Sequence, residues 1–195
     1  MGNFIITLLL ILSTTFSFGQ KSENPYDFDE SQYGYKTQKE LGLSVLKSFE
    51  EYNETNYLNK FLLTKEIFSY AMYEYAKIKN INFEETNFED KKDEIYFSIM
   101  SEHKIRANSI FEKIKSQNVD LATIKIDSSS SSQEVKRDML TGKITIYLRD
   151  NNDYYRFQIT GLNKLKGKWF IAEPRLYWHN SADLKLIEQI ETQSN

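Results

Sequence analysis

The chain has 195 residues, with 25 basic and 28 acidic side chains, a formal net charge of −3 and no cysteine. The lack of cysteine excludes disulfides, thiolate metal sites, a cysteine nucleophile and the lipid-modified cysteine of a bacterial lipoprotein. The near-neutral charge disfavours nucleic acid and anionic membrane surfaces as partners. Tyr (13) and Phe (13) are abundant while Gly (7) and Pro (2) are scarce, which favours a single α+β domain.

The amino terminus predicts a cleavable secretory signal peptide, residues 1–19, with the mature protein beginning at Gln20. Phe4–Leu12 is an unbroken apolar run of signal-core length, and small residues flank Phe18 as they do at a cleavage site. The alternative is an uncleaved membrane anchor, but a spanning helix needs roughly 20 strongly apolar residues. We therefore expect an exported protein, periplasmic or secreted, with no stable membrane insertion after cleavage.

Residues 20–36 are polar and are predicted to form a flexible leader before one domain, residues 37–195. Capping residues and amphipathic spacing then predict helices over about Thr37–Tyr52, Tyr57–Leu62 and Thr64–Lys79, and from Asn87 or Asp90 to about Ser116. The last helix has the strongest pattern, because its apolar face recurs at helical spacing through Tyr96, Met100, His103, Ala107, Ile110 and Ile114.

After residue 120 the pattern alternates, which predicts strands. Leu121–Ile126 is the first predicted strand, and the serine-rich stretch Ser128–Thr141 is predicted to be a long flexible loop. Further strands are predicted over Ile144–Arg149, Tyr154–Thr160 and Trp169–Ala172, with the last continuing beyond a bulge at Pro174 and followed by a short amphipathic helix. Tight turns between strands require antiparallel pairing. The expected fold class is α+β, with amino-terminal helices packed on a curved antiparallel sheet of about four strands.

The closing hairpin, Tyr154–Ile159 followed by Gly167–Glu173 with a glycine turn just before Trp169, is similar to the terminal strands of a known superfamily. The helix–break–helix Asn56–Ile67 also fits it. Over about residues 37–178 the chain resembles the nuclear-transport-factor-2-like (NTF2-like) superfamily, which includes SnoaL-like and ketosteroid-isomerase-like proteins. The resemblance implies a cone-shaped fold that holds a small ligand. Some members are isomerases or dehydratases and many only bind, and no catalytic residue transfers to this chain.

Two charged residues of the long helix are candidate ligand contacts. His103 lies on the apolar face, where it is either a general base in a pocket or a core histidine satisfied by a carbonyl or tyrosine. Arg106 lies one turn further on and forms either a surface ion pair with Glu102 or part of an anion site.

Aromatic residues of the predicted strands complete the candidate ligand site. They are Tyr147, Tyr155, Phe157 and Trp169. Aromatic stripes of this kind either build the core or line a pocket. Arg156, Gln158 and Thr160 form a polar face on one strand, which is either the interior of the cone or a solvent surface.

No catalytic residue, metal site or cofactor is expected. The two histidines, His103 and His179, have no spacing suited to a transition metal. Acidic residues cluster where the long helix starts and are interpreted as complements of its dipole instead of calcium ligands: Glu84, Glu85, Glu89, Asp90, Asp93 and Glu94. Phosphate-loop, serine-elbow and zinc-protease motifs are missing from the sequence.

The leading functional hypothesis is an exported, non-enzymatic ligand-binding or interaction domain of the bacterial cell envelope. Its ligand, a small hydrophobic molecule or a peptide, would lie between the sheet and the helices. One alternative is an NTF2-like isomerase, dehydratase or hydrolase that uses His103 as acid–base. The other is an adaptor that presents its outer sheet face to a protein partner, and a homodimer also stays open. The enzyme requires a solvent-accessible His103 with a second polar group about 3 Å away.

Overall fold

The computed structural model describes residues 24–79, 88–136 and 139–193. The expected signal peptide lies outside this range, as do Glu84 and Glu85 of the acidic cluster. The described residues contain helices and strands in the following order: α1 Gln38–Lys47, α2 Glu54–Phe61, α3 Lys65–Ile78, α4 Phe88–Ser116, β1 Lys125–Lys136, β2 Met139–Asp150, β3 Asp153–Leu165, β4 Lys168–His179 and α5 Ser181–Gln193.

Helices α1 and α3 begin where the sequence predicts them, whereas α2 begins at Glu54, before the predicted Tyr57. Each of the three starts at a capping side chain. At α1 the Thr37 hydroxyl accepts from the Glu40 backbone N–H at 3.1 Å, and the Glu40 carboxylate accepts from the Thr37 N–H at 3.1 Å. This reciprocal capping box satisfies two N–H groups that the helix itself leaves without partners. Asn53 and Thr64 cap α2 and α3 in the simpler one-bond form. Helix α1 ends at Lys47, before the predicted Tyr52, because turn hydrogen bonds replace the helical ones from Ser48 onward.

The four strands form one antiparallel sheet in the order β1-β2-β3-β4. Irregular registers interrupt all three ladders, which bends and twists the strands into a curved sheet. The bulge in β3 requires Gly161, whose φ is +74° and whose missing Cβ would meet the Glu173 Cβ at 2.6 Å. Pro174 of β4 lies opposite this bulge, where no ladder bond is lost. The predicted continuation of β4 past Pro174 is therefore confirmed.

The loop predicted over Ser128–Thr141 is wrong. Most of that stretch is β1 and the start of β2, paired residue by residue from Ser128↔Tyr147 to Lys136↔Met139. Strand β1 lies at the edge of the sheet, with nearly every residue exposed on both faces. Such a strand is held by backbone hydrogen bonds and needs no apolar alternation, so its serines gave no strand signal.

The first predicted strand, Leu121–Ile126, begins too early. Residues 121–123 form a turn in which the Asp120 carboxylate accepts from the Ala122 N–H at 3.0 Å and from the Thr123 hydroxyl at 3.0 Å. The aspartate thus makes a local side-chain turn that competes with extended backbone. Only Lys125 and Ile126 of the predicted strand lie in β1.

The main core lies between the sheet and helices α1, α2 and α4. Alternate residues of β2, β3 and β4 face the helices, and the buried members of this cluster are Leu41, Val45, Leu46, Phe49, Tyr57, Phe61, Ala107, Ile110, Ile114, Leu121, Ile144, Ile146, Leu148, Tyr155, Phe157, Ile159, Leu162, Trp169, Ile171, Leu176 and Trp178. The α+β layout with helices on one face of a curved antiparallel sheet is therefore shown.

Residues 24–36, expected to belong to a flexible leader, pack against the domain. Phe28 is buried and meets Phe170 edge-on at 6.2 Å between ring centres. The Asn24 amide donates to the Tyr70 carbonyl at 3.2 Å, and Tyr35 bridges to Trp169 on the edge of β4. The aromatic residues in this polar segment supply apolar surface that is removed from water on packing.

Candidate functional site

The structure divides the expected site residues into a buried and an exposed group. His103, Tyr155, Phe157 and Trp169 are buried in the domain, whereas Arg106 and Tyr147 are exposed. Arg106 donates to Glu102 at 3.5 Å as an i,i+4 pair, and both side chains are about half exposed. This is the surface ion pair that the sequence offered as an alternative to an anion site.

His103 is sealed inside the domain with 0% of its surface exposed. Among the described residues, neither ring nitrogen has a hydrogen-bond partner, and the same holds for the buried hydroxyl of Tyr57 on the packed helix α2. Because burial disfavours the charged ring, the pKa of His103 falls from 6.5 to about 4. An inaccessible, neutral imidazole with no second polar group in reach fails the requirement set for a general base.

The space between sheet and helices is filled by side chains. Phe157 packs edge-on against Phe49 at 6.1 Å, and Tyr155 stacks on Trp178 at 5.3 Å. A small cavity of about 50 Å³ lies beside Trp169, between α2 and β4. That volume is far below the roughly 300 Å³ at which ligand pockets begin. Three of the four expected aromatic contacts therefore serve as core.

The opposite face of the sheet carries a different set of side chains, which we call the open face. The register aligns Tyr147, Arg156 and His179 across β2, β3 and β4 in one row. Directly opposed residues on neighbouring strands point to the same side of the sheet. Tyr154 precedes Arg156 by two residues and shares its face, and Tyr177 stacks on His179 with ring centres 6.3 Å apart. The polar face predicted on β3 is thus the open face, not the interior.

A groove of about 500 Å³ opens where the β2–β3 hairpin meets α5, and we call it the hairpin groove. Its lining consists of Tyr147, Leu148, Tyr154, Tyr155, Arg156, Ser181, Leu184, Lys185 and Ile187. The start of α5 is held there because the Ser181 hydroxyl pairs with the Tyr154 backbone, accepting at 2.9 Å and donating at 3.1 Å. Its volume lies in the range of small-molecule sites.

The beginning of α5 is also tied to the end of α4. The Lys113 ammonium donates to the Trp178 carbonyl at 3.0 Å and to the Asp183 carboxylate at 2.9 Å. The Trp178 indole N–H donates to the Gln117 side chain at 2.8 Å. These bonds connect α4 and the residue that follows it to β4 and α5. They therefore fix the position of α5, which forms one wall of the hairpin groove.

The electrostatics of the hairpin groove are cationic. Arg156 and Lys185 are its charged lining residues, and none of the described side chains that line it is a carboxylate. The Nε of Arg156 is buried and, among the described residues, meets no acceptor. Burial lowers the pKa of His179, and the neighbouring Arg156 and Lys113 lower it further. His179 is therefore neutral at pH 7 and does not add to the charge.

A second groove of about 500 Å³ lies at the other end of the sheet, along the β1–β2 hairpin and the β3 bulge. Its charged residues are of both signs, and Arg175 pairs with Glu173 at 2.8 Å. The groove is also lined by Lys136, Lys143 and the carboxylate of Glu134. Because carboxylates lie beside the cations and the lining is mostly polar, this groove is less suited than the hairpin groove to an anion with an apolar body.

Across residues 24–79, 88–136 and 139–193, no group of three or more His, Asp or Glu side chains is arranged to hold a metal ion. At the start of α4 the described carboxylate Asp93 pairs with Lys65 at 2.6 Å. In the same described part of the chain, no helix combines the length and the apolar character needed to cross a membrane.

Sequence reasoning missed most of the hairpin groove. Of the expected site residues, Tyr147 and Tyr155 line it, while Lys185, Leu184 and Ser181 were not singled out. The available signal was the alternation of Tyr154 and Arg156 with buried residues along β3.

No family model, curated protein or solved structure matches this chain.

Proposed function

We propose that this protein is an exported, non-enzymatic binding domain of the bacterial cell envelope. The signal-peptide pattern of residues 1–19 supports export. The order of helices before an antiparallel sheet, closed by the hairpin through Gly167 and Trp169, supports an NTF2-like arrangement. In this proposal the binding surface is the hairpin groove, not the space between sheet and helices.

The observation that carries the proposal is the contrast between the packed space under the helices and the groove at the end of the β2–β3 hairpin. Between the sheet and the helices, the described side chains form a packed core with a cavity of about 50 Å³ beside Trp169, whereas the hairpin groove offers about 500 Å³. The groove combines three tyrosines with apolar residues of α5 and two cations, a mixture typical of ligand sites. The enzyme alternative loses its proposed acid–base, because His103 is sealed.

Native mass spectrometry tests this proposal on protein expressed from the full chain and isolated from the envelope fraction. We expect a small extra mass that is lost on denaturation. The variant I187W, which fills the hairpin groove, should lose that mass, whereas I105W, at an exposed site on α4 outside the groove, should retain it. Retention by I187W, or a protein that carries no ligand at all, would contradict ligand binding in the groove.

The interaction-domain alternative is favoured by the outer edge of β1, which pairs with no other strand among the described residues. This strand spans Lys125–Lys136, and Val135 is 73% exposed. An uncovered edge presents backbone N–H and C=O groups that can pair with another strand. A second copy adding its own β1 would continue the sheet across a two-fold axis. Light scattering should then show a concentration-dependent dimer that V135K weakens, whereas a monomer at all concentrations would count against it.

A further inference from the structure

The chemistry of the hairpin groove restricts the ligand that it can hold. Three tyrosines, two leucines and an isoleucine supply apolar and aromatic surface, and Arg156 and Lys185 supply two positive charges. Among the described side chains of the lining, no carboxylate balances these charges. A ligand that fits must therefore bring both an apolar body and an anionic group.

Arg156 has the position expected of an anion anchor. It lies in the middle strand of the row Tyr147–Arg156–His179, so neighbouring strands hold its backbone from both sides. Its Nε–H is removed from solvent without meeting an acceptor among the described residues. A buried guanidinium N–H lacking an acceptor is unfavourable. The buried Nε itself is out of reach of a ligand, but Arg156 lines the groove and forms no ion pair among the described residues, so a ligand carboxylate in the groove would offset its positive charge.

The carboxylates of the protein that lie nearby do not pair with Arg156. Asp183 is paired with Lys113, and Asp127 is paired with Arg149 at 3.4 Å. Asp150 ends β2 and Asp153 begins β3, and neither belongs to the described lining of the groove. Lys185 is exposed on α5 with no ion pair among the described residues, so it too is free to meet an anion.

We infer that the hairpin groove binds a small amphiphilic carboxylate, a linear or aromatic acid whose anionic end meets Arg156 and Lys185. The apolar body of the ligand lies along Tyr147, Tyr154 and the apolar residues of α5. This inference rests on the proposed binding function and specifies its ligand class. The groove volume of about 500 Å³ suits a single small molecule.

Calorimetric titration with two matched pairs of probes tests the inference on protein purified from expression of the full chain. The acids are octanoate and 3-phenylpropionate, and the uncharged controls are octanol and 3-phenylpropanol. We expect each acid to bind about tenfold or more tightly than its alcohol, as a charge-assisted hydrogen bond would give. Equal affinity for acid and alcohol, or no binding of the acids, would overturn the carboxylate assignment.

Charge-removing variants locate the contact. R156Q and K185Q should each weaken octanoate binding by about tenfold and leave octanol binding unchanged. R175Q is the matched control, since Arg175 lies on the same sheet but lines the second groove and is paired with Glu173. Because Lys185 is exposed on α5, K185Q remains informative even if R156Q fails to fold. Unchanged octanoate affinity in K185Q would refute the assignment.

The outcomes separate this inference from the function on which it rests. If alcohols and acids bind equally and I187W blocks both, the groove is a ligand site but the carboxylate assignment fails. If a peptide with a free carboxyl terminus binds and neither acid does, the small-molecule class is wrong while the binding function stands. If native protein carries no ligand and no probe binds, both fail.

Discussion

Replacing His103 by leucine is expected to stabilise the protein at neutral pH and to flatten the fall of its stability in acid. The imidazole is fully buried, and its two nitrogens have no hydrogen-bond partner among the described residues. Leucine fills a similar volume without polar atoms. Removing a buried polar group that lacks a partner should raise the free energy of unfolding by about 1–3 kcal/mol at neutral pH.

The acid dependence follows from the pKa of His103, which burial lowers from 6.5 to about 4. Above pH 6.5 the ring is neutral in both states, and its contribution to stability does not depend on pH. As the pH falls from 6.5 towards 4, the unfolded chain binds a proton that the folded protein does not bind, so stability is lost. At 1.36 kcal/mol per pKa unit, a shift of this size corresponds to about 3 kcal/mol.

Urea unfolding between pH 7.5 and pH 4, followed by circular dichroism, measures this effect as the difference between H103L and the unmodified protein. Subtracting one curve of unfolding free energy against pH from the other cancels the contribution of the carboxylates, because they titrate in both proteins. H179L is the control, because His179 is only partly buried and should change the slope less. If H103L is less stable at neutral pH and its difference from the unmodified protein is independent of pH, His103 has a favourable partner and the reasoning is refuted.

Three further predictions concern local structure and processing. Thr37→Ala removes the side chain that caps α1 with Glu40 and should cost about 1 kcal/mol in urea unfolding, whereas an unchanged midpoint would argue against the capping box. Gly161→Ala places a methyl group 2.6 Å from the Glu173 Cβ at a φ of +74°, and it should lower stability by more than about 1 kcal/mol; a neutral result would show that the bulge is not needed. The intact mass of protein exported by a bacterium expressing the full chain should correspond to a start at Gln20, and a mass that retains residues 1–19 would support the uncleaved anchor.

Local sequence signals predicted the helices well. The caps at Thr37 and Thr64 and the apolar spacing of α4 predicted those elements from residues that lie within a few turns of each other, whereas the cap at Asn53 was not predicted. The antiparallel hairpins at residues 150–153 and 166–168 were equally local, because turn residues and short spacing decide them.

The prediction failed where the deciding contact was distant in sequence. Strand β1 consists largely of serine and gains its conformation from the backbone of β2, so composition favoured a loop. Residues 24–36 are polar on average, and their packing depends on distant partners such as the aromatic rings of Tyr70 and Phe170. Neither partner can be read from the segment itself.

The candidate site shows the same division. The sequence alone determined the order of the secondary-structure elements and the α+β class. It also determined the alternation along β3, by which Arg156 and Phe157 point to different faces of the sheet. Only the tertiary structure decided which face is filled, because core packing depends on how the helices cover the sheet. It also brought α5 against the β2–β3 hairpin, so that Lys185 and Arg156 line the same groove. Residues that are far apart in the chain form a binding surface only once long-range packing has set their distance, and no local pattern encodes that distance.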